Sequence, residues 1–483
     1  MLSKSQYTSY LQCPKYFWLY RMKPEVLTPA DERQQQIFDT GHLVGETACG
    51  LFPDGREVPF NLKDLPGMVS ATRKLIEEGE TTIYEASFIY DGVFVAVDIL
   101  HFEKGLWNIY EVKSSTGVKD VYIHDAAVQS YVLENCGIPL KSVNIIHINN
   151  RYIREEDLKL EELFTTVDIT LRIHSAKRGL PERLGAMKEL LKQAEPDQEI
   201  GPRCLSPYEC PAKAYCWHTL AALPEDSVFT LTTARMDDKF KYYAEGKRTL
   251  QDLDPAELSK AQRLQREGKI HIEREPIREF LDSLDTPVSH LDFESFQQAV
   301  PGYEGVKPFQ QIPFQYSIHI EEDKELIHKE FLDPWNRDPR RDLAESLIRD
   351  IPKEGTVLAY NRSFETGVIN KLAALFPDLE DSLHAVSSRI MDLMIPFQKR
   401  WYYHPAMKGS YSIKKVLPAL VPEMEQAYSE LPGVRNGGEA SSAWALMAQA
   451  DREQREQVRR GLLAYCRLDT LAMVKILDVL RSL

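Results

Sequence analysis

The chain has 483 residues, a formal net charge of −14, 43% hydrophobic and 27% charged residues. Its length is about three times that of an ordinary domain, and the composition excludes a largely disordered chain. No apolar run reaches the length of a membrane span, and the acidic balance counts against coating nucleic acid through bulk charge. It does not count against an enzyme whose carboxylates hold divalent cations, because the ions neutralise that charge locally.

In chain order, the first predicted element is an aromatic helix, YLQCPKYFWLY, that carries Cys13. The segment before it lacks the apolar core of a signal peptide, which predicts a cytoplasmic chain with reduced thiols. GVFVAVDIL predicts a strand carrying Asp98, and WNIYEVKSS predicts a second strand carrying Glu111 and Lys113. A hairpin centred near Lys104 sets Asp98 against Tyr110 or Glu111, and Glu111 and Lys113, two apart, share a face. Two carboxylates can hold Mg²⁺ or Mn²⁺, and a lysine beside them can orient water or stabilise a charged transition state. A plain cross-strand salt bridge on a hairpin face has the same spacing.

Cys204, Cys210 and Cys216 follow as C-x5-C-x5-C, a set of three thiols that reads as a metal or cluster site short of a fourth ligand. Cys49, Cys136 and Cys466 are isolated and read as buried structural thiols. Residues 221–285 are highly charged and helical in pattern, which predicts a connector. PVSHLDFES then predicts a strand with Asp292 and Glu294 on one face. GTVLAYNRSFETGVINKLAALF predicts a strand and a helix with Asn361, Phe364 and Glu365 at the junction. A long amphipathic C-terminal helix carries Tyr465 and Asp469 four apart. Carboxylates from these three elements converge only in a compact α/β layer, and such convergence is what two-metal phosphoryl chemistry requires.

SKSQYTSYLQCPKYFWLY, GHLVGE, AVDIL, EVKSS and the late cysteines resemble the RecB-like PD-(D/E)xK nucleases that carry an iron–sulfur staple. The resemblance implies a [4Fe–4S] cluster held by Cys13, Cys204, Cys210 and Cys216. It makes His42, Asp98 and Glu111 metal ligands and Lys113 the catalytic lysine. The helix after the hairpin departs from the family's Q-x-x-x-Y motif: Gln129 and Tyr131 are present at a different spacing.

The second half resembles the DnaQ-like (DEDD) exonucleases of the ribonuclease H-like fold. That likeness makes Asp292, Glu294, Glu365 and Asp469 metal ligands, with Tyr465 positioning the attacking water and Asp392 in reserve. The second motif departs from the pattern, being one residue shorter and ending in glutamate. His404, Lys408, Ser410, Lys414 and Lys415 read as phosphate or backbone contacts.

The order of the two halves is similar to a bacterial family of predicted nucleases described as a domain of unknown function. The expected α/β fold has a RecB-like, restriction-endonuclease-type domain over residues 1–220, a helical connector over 221–285, and a ribonuclease H-like exonuclease domain over 286–483. The expected function is metal-dependent hydrolysis of nucleic acid, DNA in preference to RNA, by an exonuclease with two catalytic centres. The alternatives are one active centre with the other as a nucleic-acid clamp, or a non-catalytic scaffold with structural zinc. The chain has no G-x-x-x-x-G-K-[ST] loop, so unwinding would fall to a helicase or another repair or defence partner; no membrane partner is expected.

Overall fold

In the computed structural model, which describes residues 1–334, 337–431, 433–447 and 450–483, the apolar segments form two main sheets. The fold is mixed α/β, and the chain divides into two units: Met1–Leu223 with Gln298–Gln310, and Pro224–Gln297 with Gln311–Leu483. Among the described residues, no helix is long and apolar enough to cross a membrane.

Unit 1 runs β1 (Leu2–Ser3), α1 (Lys4–Gln12), α2 (Pro14–Met22), α3 (Glu32–Cys49), β2 (Arg56–Glu57), α4 (Leu65–Glu77), β3 (Thr82–Tyr90), β4 (Val93–Glu103) and β5 (Leu106–Lys113). It continues through α5 (Asp120–Asn135), β6 (Leu140–Ile148), α6 (Leu160–Leu163), β7 (Phe164–Asp168), α7 (Thr170–Lys177) and α8 (Leu180–Leu190). The β4–β5 hairpin turns at Lys104 and Gly105, both with positive φ (54° and 87°), as a two-residue turn compatible with strand twist requires. Its pairing runs from Glu103↔Leu106 to Ile99↔Tyr110.

Beyond that point the strands part. β5 goes on in parallel with β6 (Glu111↔Ile145, Lys113↔His147), while β1 lies parallel along the other half of β4 (Leu2↔Val93). Asp98 and Glu111 therefore sit where the strands diverge, and α1 begins beside them. Ser3 caps α1, accepting from the Gln6 N–H at 3.3 Å. Ile83, Val97, Leu100 and Ile109 of the sheet pack with Ala127, Val128 and Leu133 of α5 in one core.

Unit 2 contains α9 (Met236–Ala244), α10 (Lys260–Glu267), β8 (His271–Ile272), α11 (Arg274–Asp282), β9 (Val288–Phe296), β10 (Ile312–Glu322), β11 (Glu325–Leu332), α12 (Arg340–Asp350), β12 (Thr356–Ala359) and α13 (Arg362–Leu375). Then come α14 (Glu380–Ser387), β13 (Ile390–Asp392), α15 (Ile395–Gln398), β14 (Tyr402–Tyr403), α16 (Ile413–Leu420), α17 (Gly437–Leu446) and α18 (Arg452–Arg481). The sheet order is β11-β10-β9-β12-β13, antiparallel on the β10–β11 side of β9 and parallel on the other.

Most of the segment expected as a connector belongs to this unit. Val228, Leu231, Leu250, Leu253 and Leu258 form a small core, and β8 pairs with β14. The buried Gln265 holds the main chain of Thr230 and Lys408, and Arg400 binds the Gly409 carbonyl and the Thr232 hydroxyl. The high charge of this stretch hid a sparse set of leucines that is enough to fold it down.

Candidate functional site

In unit 1 the strand divergence gathers more groups than the hairpin supplies. The Asp98 carboxylate accepts the Val112 N–H at 2.6 Å. Lys113 Nζ donates to Glu111 Oε1 at 2.6 Å and to Asp125 Oδ2 at 3.0 Å. Gln129 Nε2 donates to Glu111 Oε2 at 2.6 Å, and Lys4 Nζ reaches both Glu111 oxygens at 2.8 and 3.0 Å.

Burial works against the Glu111 charge, yet the Lys113 and Lys4 ammoniums hold its carboxyl well below the usual range. Burial also disfavours the Lys113 ammonium, but Glu111 and Asp125 push its pKa well above the usual value. Burial and the Glu111 charge push Asp98 up to about 6. Glu85 joins the group from a left-handed position in β3 (φ 55°), pushed up to about 7 by burial and Asp98.

Sequence reasoning missed Lys4, Glu85 and Asp125, and it gave Gln129 no place. The available signal was the four-residue spacing of Asp125 and Gln129, which puts both on one face of α5. His42 stands exposed on α3, and the hydrogen bonds to Glu111 come from Lys4, Lys113 and Gln129 instead.

Cys13, Cys204, Cys210 and Cys216 line one cavity of about 20 Å³, together with Lys15 and Gln198. Gln12 fastens the end of α1 to this region, donating to the Arg203 and Tyr208 carbonyls at 2.9 and 2.8 Å. Burial raises Cys210 to about 12, with the Cys13, Cys204 and Cys216 thiols adding to the rise. Burial raises Cys216 to about 11 although Lys15 opposes it. Four soft donors thus line one cavity. Of the three isolated cysteines expected to be buried, Cys466 is buried, Cys49 is half-buried and Cys136 is exposed past the end of α5.

In unit 2 the ligand oxygens of Asp292, Glu294 and Asp469 all lie within 4.8 Å of one another. Asp292 and Glu294 lie on β9 beyond its pairing with β12, which reaches Leu358↔His290. Asp469 comes from α18, which is pinned across the sheet by polar contacts. Gln315 Nε2 donates to the Leu462 carbonyl at 2.8 Å, and Thr470 Oγ1 meets Ser317 Oγ at 2.8 Å and His319 Nδ1 at 2.7 Å.

Glu365 is 2% exposed, and its Oε2 is buried without a hydrogen-bond partner. It lies outside the 4.8 Å group, but its charge acts on Asp292 and Glu294. The Tyr428 hydroxyl donates to Asp469 Oδ1 at 2.5 Å, and Tyr465 bonds the same carboxylate. Lys414 Nζ lies 5.2 Å from both tyrosine ring centroids and donates to the Arg435 carbonyl at 2.8 Å. Sequence reasoning missed Tyr428.

Asp392 is engaged by the main chain. Its two oxygens accept the N–H groups of Asn361, Arg362 and Met394 at 3.0–3.1 Å, which fixes the start of α13 and the approach of Glu365. Among the expected phosphate contacts, Lys414 stands beside the acidic group. His404 caps a short turn by accepting the Ala406 N–H, and Lys408 pairs with Glu225.

Burial and Asp469 push Glu294 up to about 8, and burial with Asp392 pushes Glu365 to about 8. Burial raises Asp469 to about 6, although the two tyrosine hydroxyls and Lys414 oppose it. Each of these carboxyls binds its proton more tightly folded than unfolded. Their contribution to stability is fully present below the ordinary range and is lost as pH rises through about 6 to 8. Asp98 and Glu85 add to the loss in the same direction. With EDTA present, the melting midpoint is expected to fall between about pH 5 and pH 8. Mn²⁺ should raise it more at the alkaline end, because ligands bind metal deprotonated. A midpoint that stays level across this range would contradict the assignment.

Residues 289–412 match a family model described as "Domain of unknown function (DUF2779)". That match includes Asp292, Glu294, Glu365 and Asp392 and stops short of Lys414, Tyr465 and Asp469. A stretch of 208 residues is 27% identical to "Uncharacterized protein UU173" of Ureaplasma parvum serovar 3, covering 39% of this chain. The chain spans 30% of that relative's length.

Proposed function

We propose that this chain is a metal-dependent nuclease, an exonuclease in which Asp292, Glu294 and Asp469 with Glu365 form one hydrolytic centre. Asp98, Glu111 and Lys113 form the other. The observation that carries this reading is the mutual approach, within 4.8 Å, of three carboxylates from β9 and α18. So much like charge in one buried group disfavours folding unless protons or a cation compensate it, and a cation does so at the pH where the carboxyls are ionised. The orphaned Glu365 Oε2 adds a donor with nothing else to bind.

Hard oxygen ligands suit Mg²⁺ or Mn²⁺, which would neutralise a phosphate and lower the pKa of a bound water. The chain's own groups do the rest. Burial and Asp469 push the Tyr465 pKa far up, so its phenol stays protonated; its O–H donates to Asp469, which leaves the phenol oxygen to accept from and orient a water. Lys414, held against the two rings, offers an ammonium for a phosphate oxygen. In unit 1, Lys113 is placed to stabilise charge developing next to Glu111 and Asp98. The four thiols are assigned to a [4Fe–4S] cluster that ties α1 to the end of unit 1.

The test is one assay of end-labelled single- and double-stranded DNA and RNA with Mg²⁺, Mn²⁺ or EDTA. Metal-dependent release of mononucleotides, faster from DNA, is the expected result. Intact substrates under every condition would sink the proposal.

A further inference from the structure

Glu111 in unit 1 has no acceptor position left. A carboxylate offers about four lone-pair sites. Oε1 accepts from Lys113 at 2.6 Å and Lys4 at 2.8 Å, and Oε2 accepts from Gln129 at 2.6 Å and Lys4 at 3.0 Å. Two of these donors, Lys113 and Gln129, come from β5 and α5, where the hairpin and that helix meet. The third partner is different. Lys4 arrives from 107 residues away, straddles both oxygens, and also lies 3.9 Å from Asp125 Oδ2.

Burial disfavours the Lys4 ammonium, but Asp125, Glu111 and Asp98 more than compensate. Lys4 is thus a compact cation lying among three carboxylates. Next to it, Asp125 Oδ1 is buried without a partner.

We infer that Lys4 is a built-in counter-ion whose ammonium and a divalent cation are mutually exclusive on Glu111. The inference rests on the reading of Asp98 and Glu111 as a metal-holding pair. The main chain around Lys4 is fixed at both ends. Leu2 donates to the Gly92 carbonyl at 2.8 Å, and Gln12 clamps the far end of α1 near the thiol cavity. The exchange therefore falls to the lysine side chain, which is 21% exposed and has four methylenes over which to swing outward. When the side chain leaves, both Glu111 oxygens regain a free site towards the unpartnered Asp125 Oδ1. Metal binding in unit 1 then works against an internal competitor, and Lys4 sets the cation concentration at which this centre loads.

The test is Mn²⁺ binding, followed by electron paramagnetic resonance, in the full-length chain with the second centre disabled by Asp292→Asn and Asp469→Asn. Adding Lys4→Met should tighten Mn²⁺ binding at least about tenfold, within the usual range for coupled sites. Lys4→Arg, which keeps the cation, should leave it weak. Melting curves guard against a misfolded variant: Lys4→Met should melt lower than its parent in EDTA and gain more from Mn²⁺. Equal Mn²⁺ affinity with Lys4 and Met at this position would overturn the inference while leaving the metal reading of the centre intact. No Mn²⁺ bound in either chain would overturn both.

Discussion

Asp292→Asn is expected to lower the metal-dependent nuclease rate by on the order of 10³-fold, or about 4 kcal/mol of transition-state stabilisation. The substitution keeps the shape of the side chain and removes one anionic oxygen from the group that meets within 4.8 Å. The same change should raise the stability of the metal-free protein. Burial, followed by Asp469, Glu294 and Glu365, pushes the Asp292 carboxyl well above its usual range, so the buried charge opposes folding. Loss of rate with a gain in melting temperature is what a site held at the expense of stability would show. A variant that keeps half its rate would remove Asp292 from the centre. A variant that loses rate and stability together would make its role structural.

The second large effect concerns the thiols. Cys210→Ser is expected to release the bound metal and lower the melting midpoint by about 5 °C or more, given the stability that a metal staple supplies to a unit of this size. Cys210 is 6% exposed and lines the same cavity as Cys13, Cys204 and Cys216. Serine supplies a harder, shorter donor that a soft metal rejects. A staple at these thiols would join Cys13 to cysteines almost two hundred residues away, so its loss would free a long loop in the unfolded chain. Iron and sulfide in the purified protein, with broad visible absorbance that bleaches on reduction, identify the cluster. Zinc in its place would reassign the cofactor and leave the stability effect standing. Full metal content in Cys210→Ser would remove the residue from the site.

Several of the residues legible beforehand share one property: they rest on local spacing. The period of two along a strand put Glu111 beside Lys113 and Asp292 beside Glu294. The turn chemistry of Lys104–Gly105 set the register that brings Asp98 towards Glu111. The four-residue spacing of Tyr465 and Asp469 placed both on one buried face of α18. These relations hold within one element or one hairpin, so backbone geometry alone determines them.

What escaped were particular pairings between distant segments. Lys4 reaches Glu111 across 107 residues, and Tyr428 reaches Asp469 across 41, with no pattern in either neighbourhood to announce the pairing. Asp392 looked like a spare ligand because its residue type is right. Its role depends on three N–H groups, two of them at the start of a helix thirty residues upstream. Charge made residues 221–285 look like a spacer, while five apolar side chains spread between Val228 and Leu258 gave them a core. Contacts of this kind are settled by the sum of packing over the whole unit against the entropy of closing long loops, and no window of sequence contains that sum.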